Sequence, residues 1–249
     1  MALSRRTFIA AAAAGLAACS KSVHKVIGTP TSTTTGAPPT EPPTTQHTGP
    51  AQLVYSGPRD RKMVAFTFHG SGDLVLTQQL LDEAKRLAAP ITIFAVGTWL
   101  QQNPGMTRRI LADGNELENH TLTHPQLRGA GAATVRREVI GCRDVLAAQT
   151  GSPGRFFRPS GMEGNYPPVV MEEAGLAGYG VVCGFDVDPS DYLDPGAAAV
   201  EARVRQGLKP GSIVSLHTGH AGTVTAFPTL VADARARGLQ PVLVRDLLA

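Results

Sequence analysis

YGVVCGFDVDPSDY, residues Tyr179 to Tyr192, decides how the chain is read. Its first half is a continuous apolar run without alternation. Such a run fits a strand buried on both faces, as in a parallel sheet covered by helices. Its second half turns abruptly polar and carries Asp186, Asp188 and Asp191. In parallel α/β folds, chemistry collects at the carboxyl ends of strands. The stretch therefore predicts an architecture and also the place where a site belongs.

Outward from it, the same grammar repeats. Short β-rich runs occupy Met63–Phe68, Ile91–Val96, Asn115–Asn119, Arg155–Arg158, Gly180–Val187, Ser212–Leu216 and Pro241–Val244. Amphipathic helical stretches fall between them, at Leu74–Ala88, Trp99–Ala112, Ala132–Gln149, Tyr166–Ala174, Gly196–Gln206 and Thr223–Arg237. In the third, Val135, Val139, Cys142 and Leu146 recur at helical spacing, with Arg136, Arg137, Glu138 and Arg143 elsewhere on the helix. Strand–helix alternation implies a parallel sheet, and seven strands suggest an α/β barrel, with an open doubly wound sheet as the alternative. The 249 residues allow one domain of that size or two small ones. No G-x-G-x-x-G or P-loop follows a strand, which argues against a nucleotide site. A net charge of +3 is too small to mark a nucleic-acid binder. Cys142 and Cys183 lie in apolar patterns and read as buried free thiols.

The first residues are of another kind. MALSRRTFIAAAAAGLAACSKS has Arg5 and Arg6 ahead of an alanine-rich segment, Ile9 to Ala18, too short for a comfortable membrane span. The Ser4–Ile9 stretch resembles a twin-arginine export signal. Leu16-Ala17-Ala18-Cys19 resembles a bacterial lipobox, implying cleavage before Cys19 and lipid on its thiol. A frayed apolar helix is the plainer alternative. The predicted organisation is a signal peptide over 1–18, a disordered Thr/Pro-rich linker over 19–51 and a folded domain over 52–249. The predicted location is the outer face of the cell membrane, held by a lipid anchor.

Within the domain, histidines gather at strand ends: His69 after the first run, His120 and His124 after the third, His217 and His220 after the sixth. Arg158 ends the fourth. Pro125 disfavours a helical His124, so His120 and His124 are expected on a short loop. Two such imidazoles can share one metal, as in catalytic zinc sites with two histidines, a carboxylate and an open position. Each residue also has a plainer reading: exposed loop histidines, an arginine paired with a surface acid, Asp191 as a helix cap, His217 as a satisfied core histidine.

Taken in order, these stretches resemble the polysaccharide deacetylases, carbohydrate esterase family 4 with the NodB-homology fold. The resemblance runs over roughly 62–248. NHTLTHP is similar to the family's H-[ST]-x-x-H metal motif, FFRPSG to its Arg-Pro motif, DVDPSDY to its D-V-D-S-x-D-W motif and SLHTG to its Leu-x-His motif. The resemblance implies a distorted (β/α)7 barrel and metal-dependent hydrolysis of N-acetyl groups on an amino-sugar polysaccharide such as peptidoglycan. It implies a divalent metal, zinc among the candidates, on His120 and His124. His217 would be the general acid, Asp191 would orient it, and Arg158 would fix a catalytic carboxylate. Tyr192, Ser160 and Gly161 would contact substrate.

The first motif departs from the pattern. The family has Thr-Phe-Asp-Asp-Gly, whose first aspartate is the base and second a metal ligand; this chain has Thr67-Phe68-His69-Gly70-Ser71-Gly72-Asp73. Either Asp73 folds back to supply the ligand or the base, or His69 becomes a third imidazole ligand. Asp73 is also a natural N-cap for the helix from Leu74. Without either repair, the barrel would be a noncatalytic glycan-binding lipoprotein. An O-acetyl esterase is a further alternative.

Overall fold

A computed structural model describes residues 49–161 and 166–249. The expected signal segment, the Cys19 lipidation site and nearly all of the linker lie outside the described residues. The strands are β1 (Gln52–Val54), β2 (Met63–Gly70), β3 (Thr92–Ala95), β4 (Glu116–Asn119), β5 (Phe156–Phe157), β6 (Val181–Cys183), β7 (Ser212–His217) and β8 (Gln240–Pro241). The helices are α1 (Leu74–Arg86), α2 (Gly97–Gln102), α3 (Pro104–Ala112), α4 (Ala132–Thr150), α5 (Pro168–Leu176), α6 (Ala197–Gly207), α7 (Ala221–Ala236) and α8 (Val244–Leu247).

Every strand pairing is parallel, in the order β1-β6-β5-β4-β3-β2-β7, with β8 also on β2. Isolated bridges tie β7 to the far side of that order: Ser56, just after β1, pairs antiparallel with Ser212, and Val187, after β6, pairs with Val214. The sheet thus curls into a distorted (β/α)7 barrel, as the resemblance implies and in agreement with the seven runs. β1 is an addition: three half-exposed residues give no apolar run to read. The helix expected over Trp99–Ala112 is two helices. Pro104 opens α3 and pushes Asn103 out of helical geometry, to φ −131° and ψ 59°.

Alternation on β2 separates two cores. Val64, Phe66 and Phe68 pack with the helices, against Leu80, Leu81 and Phe227. Ala65 instead clusters with Phe94, Phe156, Cys183 and Ile213, which come from four other strands, so it faces the barrel interior. Register places Thr67 beside Thr92 and His69 beside Phe94, then Thr92 beside Glu116 and Phe94 beside Glu118. The interior is therefore apolar at its floor but contains titratable groups.

Burial pushes Glu116 above the usual carboxylate range, and a 2.8 Å hydrogen bond from Thr92 offsets this only in part. Its Oε1 is buried without a partner. Glu118 is pushed up as well, by burial and then by the Glu116 charge. A carboxyl with a raised folded-state pKa binds more protons when folded. Its stabilising share is present below the unfolded pKa, near 4.5, and is lost as pH rises through the folded value. Glu116→Gln is therefore expected to melt higher than wild type at pH 7.5, with the gain vanishing near pH 4. A difference in melting temperature that does not vary with pH would refute this.

Candidate active site

The site is built where β2, β4 and β7 end. At the β2 end, Gly70 packs on β3 so closely that a Cβ would lie 2.7 Å from Ile93 Cγ2 and 3.3 Å from Ala95 Cα. Gly72 then lies against Gly219 in the loop after β7, with no room for a side chain on either. Trp99 Nε1 donates to the Gly72 carbonyl at 3.1 Å. This anchoring directs the chain straight into α1. Asp73 becomes its N-cap, and its Oδ1 accepts from the Leu76 amide at 2.9 Å. The expectation that Asp73 supplies the metal ligand or the base is thus not met. The carboxylate is exposed, used as a cap, and absent from the imidazole cluster described next.

At the β4 end, Asn119 ties down the loop. Its amide donates to the Val139 carbonyl and to Tyr179 Oη, at 2.9 and 2.8 Å, and its Oδ1 accepts from the Thr121 amide. Thr121 and His124 both sit at positive φ, 71° and 60°, a geometry that costs energy in residues with side chains. The sharp loop brings His124 back toward His120, their ring centroids 4.9 Å apart. His69 lies on the other side of His120, at 4.3 Å. One nitrogen from each of His69, His120 and His124 falls within 4.8 Å of the other two.

His120 is fully buried, and its Nδ1 lies 2.8 Å from the Arg158 carbonyl. A carbonyl only accepts, so Nδ1 carries the hydrogen and Nε2 keeps the lone pair. That Nε2 is buried and has no partner. Burial holds the His69 and His120 rings well below the usual imidazole range, reinforced for His69 first by His120 and for His120 first by His124. His124 is shifted the same way, again mainly by burial. Three neutral imidazoles with converging nitrogens form a donor set that can take a divalent cation.

β7 adds the second component. His217 pairs in register with His69, their rings 4.5 Å apart. Its Nδ1 lies 2.8 Å from Asp191 Oδ1. Asp191 comes from a 3₁₀ turn, Asp191–Leu193, and is almost wholly buried. Its Oδ2 accepts from the His217 amide at 2.9 Å and from Thr223 Oγ1 at 2.6 Å. The ring is therefore held at Nδ1, with Nε2 as its lone-pair nitrogen. Asp186, by contrast, is structural: it accepts from the Ile213 amide and pairs with Arg59.

Arg158 departs from its expected role. It is fully buried, but it fixes no carboxylate among the described residues. Nε donates to the Cys183 carbonyl, Nη1 to Thr67 Oγ1 and Nη2 to the Gly184 carbonyl, at 2.9, 2.8 and 3.2 Å. The guanidinium lies 4.0 Å from the Phe94 ring centroid. The reason is the residue at 69: an imidazole offers no anion for the cation to hold. Ser160 is also redirected. It is fully buried and donates to the Pro125 carbonyl at 2.5 Å, so it braces the loop instead of meeting a ligand.

Above these groups is a cavity of about 150 Å³ lined by His69, His124, Gly161, Asp188, Tyr192 and His217, with Pro159, Phe185 and Ser215 completing the wall. Tyr192 packs edge-on to His217 at 5.4 Å. Tyr192 and Gly161 thus both line this cavity. Phe185 and Ser215 went unnoticed in the sequence. Strand alternation would have found Ser215, two residues before His217 and on the same face. His220 stands outside the imidazole cluster and pairs with Asp194 at 2.8 Å. Cys142 and Cys183 are free and buried, as read.

Comparison with known proteins agrees with this geometry. The family model described as polysaccharide deacetylase matches residues 56–182. A peptidoglycan-N-acetylglucosamine deacetylase of Bacillus cereus is 29% identical over 200 residues, covering 79% of this chain and 92% of that protein. A chitooligosaccharide deacetylase of Sinorhizobium fredii is 32% identical over 158 residues, covering 63% and 72%. Among solved structures, the Bc1960 peptidoglycan N-acetylglucosamine deacetylase superposes with a TM-score of 0.74 at 25% identity, over 79% of this chain and 92% of that one. A CE4 family pseudoenzyme from Bacillus anthracis shares the fold, with a TM-score of 0.75 at 24% identity over 80% and 69%. The barrel, the sequence of motifs around it and a family match over half of the residues lead to one conclusion: this chain belongs to the polysaccharide deacetylase family.

Proposed function

We propose that this protein is an exported, lipid-anchored deacetylase that hydrolyses N-acetyl groups on an envelope amino-sugar polysaccharide. In this reading His69, His120 and His124 hold a divalent metal. The observation that carries it is the buried, unpartnered Nε2 of His120, whose ring is fixed from behind by the Arg158 carbonyl. Metal-binding histidines are commonly held through the opposite nitrogen in this way. A set of three imidazoles suits zinc, and cobalt fits it as well. Once bound, such a cation supplies Lewis-acid polarisation of the acetyl carbonyl and acidifies water.

The other steps fall to the chain itself. The small cavity has room for an acetyl group beside Tyr192. With no carboxylate in the cluster, His217 Nε2 takes the proton from water and returns it to the departing amine. Asp191 keeps the ring in the tautomer this needs. The Cys19 lipobox and the Thr/Pro-rich tether would place the domain at the membrane surface, within reach of the polymer.

The missing carboxylate also favours a second reading, a noncatalytic glycan-binding lipoprotein. Metal analysis of the reloaded protein, with acetate release from peptidoglycan and N-acetylglucosamine oligomers, separates the two. One divalent ion per chain, lost in His120→Ala, together with acetate release is the expected result. No bound ion, or an ion indifferent to His120→Ala, refutes the metal site. Glycan binding without acetate release establishes the second reading. Faster cleavage of acetyl esters than of amides would make the protein an O-acetyl esterase.

A further inference from the structure

Ser215 sits in the middle of β7, 1% exposed, between the apolar Val214 and Leu216. A buried hydroxyl costs stability unless it is hydrogen-bonded. Its Oγ lies 3.2 Å from His69 Nε2. In register Ser215 stands opposite Thr67, and His217 stands opposite His69, so the hydroxyl reaches diagonally across to the imidazole. An imidazole that ligates a metal gives one lone pair to it and carries its hydrogen on the other nitrogen. A hydroxyl can accept from or donate to either, and the surroundings select between the two.

We infer that His69 donates Nε2–H to Ser215 Oγ, which leaves the Nδ1 lone pair for the metal and makes Ser215 the positioning residue of the third ligand. The arrangement repeats that of His120, whose Nδ1–H is taken by the Arg158 carbonyl while Nε2 faces the cluster. Two of the three rings are then oriented through the nitrogen remote from the metal. Position 70 cannot provide an alternative ligand, because any side chain there would run into Ile93 and the β3 backbone. The end of β2 contributes through His69, and Ser215 determines which nitrogen it offers. This inference rests on the metal reading proposed above.

The test is zinc titration of the full-length protein by calorimetry, with cobalt(II) visible spectra as a second readout. Wild type, Ser215→Ala, Ser215→Thr, His69→Ala and the double variant Ser215→Ala/His69→Ala are compared. Ser215→Ala is expected to weaken zinc binding about 10- to 100-fold and to shift the cobalt spectrum. Ser215→Thr keeps the hydroxyl and retains tighter binding than Ser215→Ala. The double variant binds no more weakly than His69→Ala alone, because Ser215 acts only through His69. Affinity unchanged or raised in Ser215→Ala, or losses that add in the double variant, overturns the inference. Absence of zinc binding by wild type instead overturns the metal reading itself. Melting of the metal-free variants near the wild-type temperature confirms that each is folded.

Discussion

His217→Ala is expected to lower the rate of acetate release by about 10²- to 10⁴-fold while leaving zinc affinity close to that of wild type. The asymmetry follows from position. His217 touches the cluster through His69 and faces the cavity, but it lies outside the three converging nitrogens. Removing it takes away the proton carrier and leaves the donor set intact. Asp191→Asn should reproduce much of the loss: an NH2 in place of Oδ1 opposes the hydrogen on His217 Nδ1, and one in place of Oδ2 forfeits the hydrogen bonds from the His217 amide and Thr223. The effect should fall on kcat far more than on KM, since the ring acts on the reacting atoms and contributes little to holding a polymer. An active His217→Ala, or one that fails only through lost metal, would remove His217 from this role.

Arg158→Ala is expected to cost about 3–5 kcal/mol of stability, as large a loss as truncation of a core aromatic. The guanidinium fills the space above Phe94 and donates to two backbone carbonyls and Thr67 in a region with no solvent. Alanine leaves a cavity and stranded acceptors together. Arg158→Met fills most of the volume and removes a buried cation that has no carboxylate partner among the described residues. It should cost markedly less, since burying an uncompensated charge is itself unfavourable. Denaturant unfolding of both variants measures the contrast. Equal losses would mean that the charge contributes as much as the volume, and a small loss in Arg158→Ala would mean that the cavity collapses freely.

The barrel was legible because short apolar runs alternate with amphipathic helical stretches, and the site because several of those runs end in a change of chemistry that no packing argument requires. The run from Gly180 shifts to aspartates, and the run from Ser212 stops at His217. β1 was not legible, since three half-exposed residues carry no pattern. Within the site, His120 and His124 were readable from their spacing, and His217 and Asp191 from the resemblance of their motifs. For Asp73 a ligand, a base and an N-cap all stood open; the choice of the cap depends on a backbone contact between Gly72 and Gly219, almost 150 residues apart. Sequence pattern also could not show that Arg158 turns to carbonyls. That outcome depends on the folded barrel, which surrounds it with the Cys183 and Gly184 carbonyls, Thr67 and the Phe94 ring.

The contact between Gly70 and Ile93 reaches beyond this one site. This histidine-based centre and the family's Asp-Asp arrangement differ on paper by two substitutions, at positions 69 and 70. In this barrel the second is conditional: residue 93, on a neighbouring strand and turned away from the imidazoles, must shrink and Ala95 must give way by a few tenths of an ångström before residue 70 can grow. Passage between the two kinds of centre is therefore epistatic, and the gatekeeper is an aliphatic side chain that takes no part in the chemistry. Attempts to convert one centre into the other have to begin in the hydrophobic layer behind the sheet.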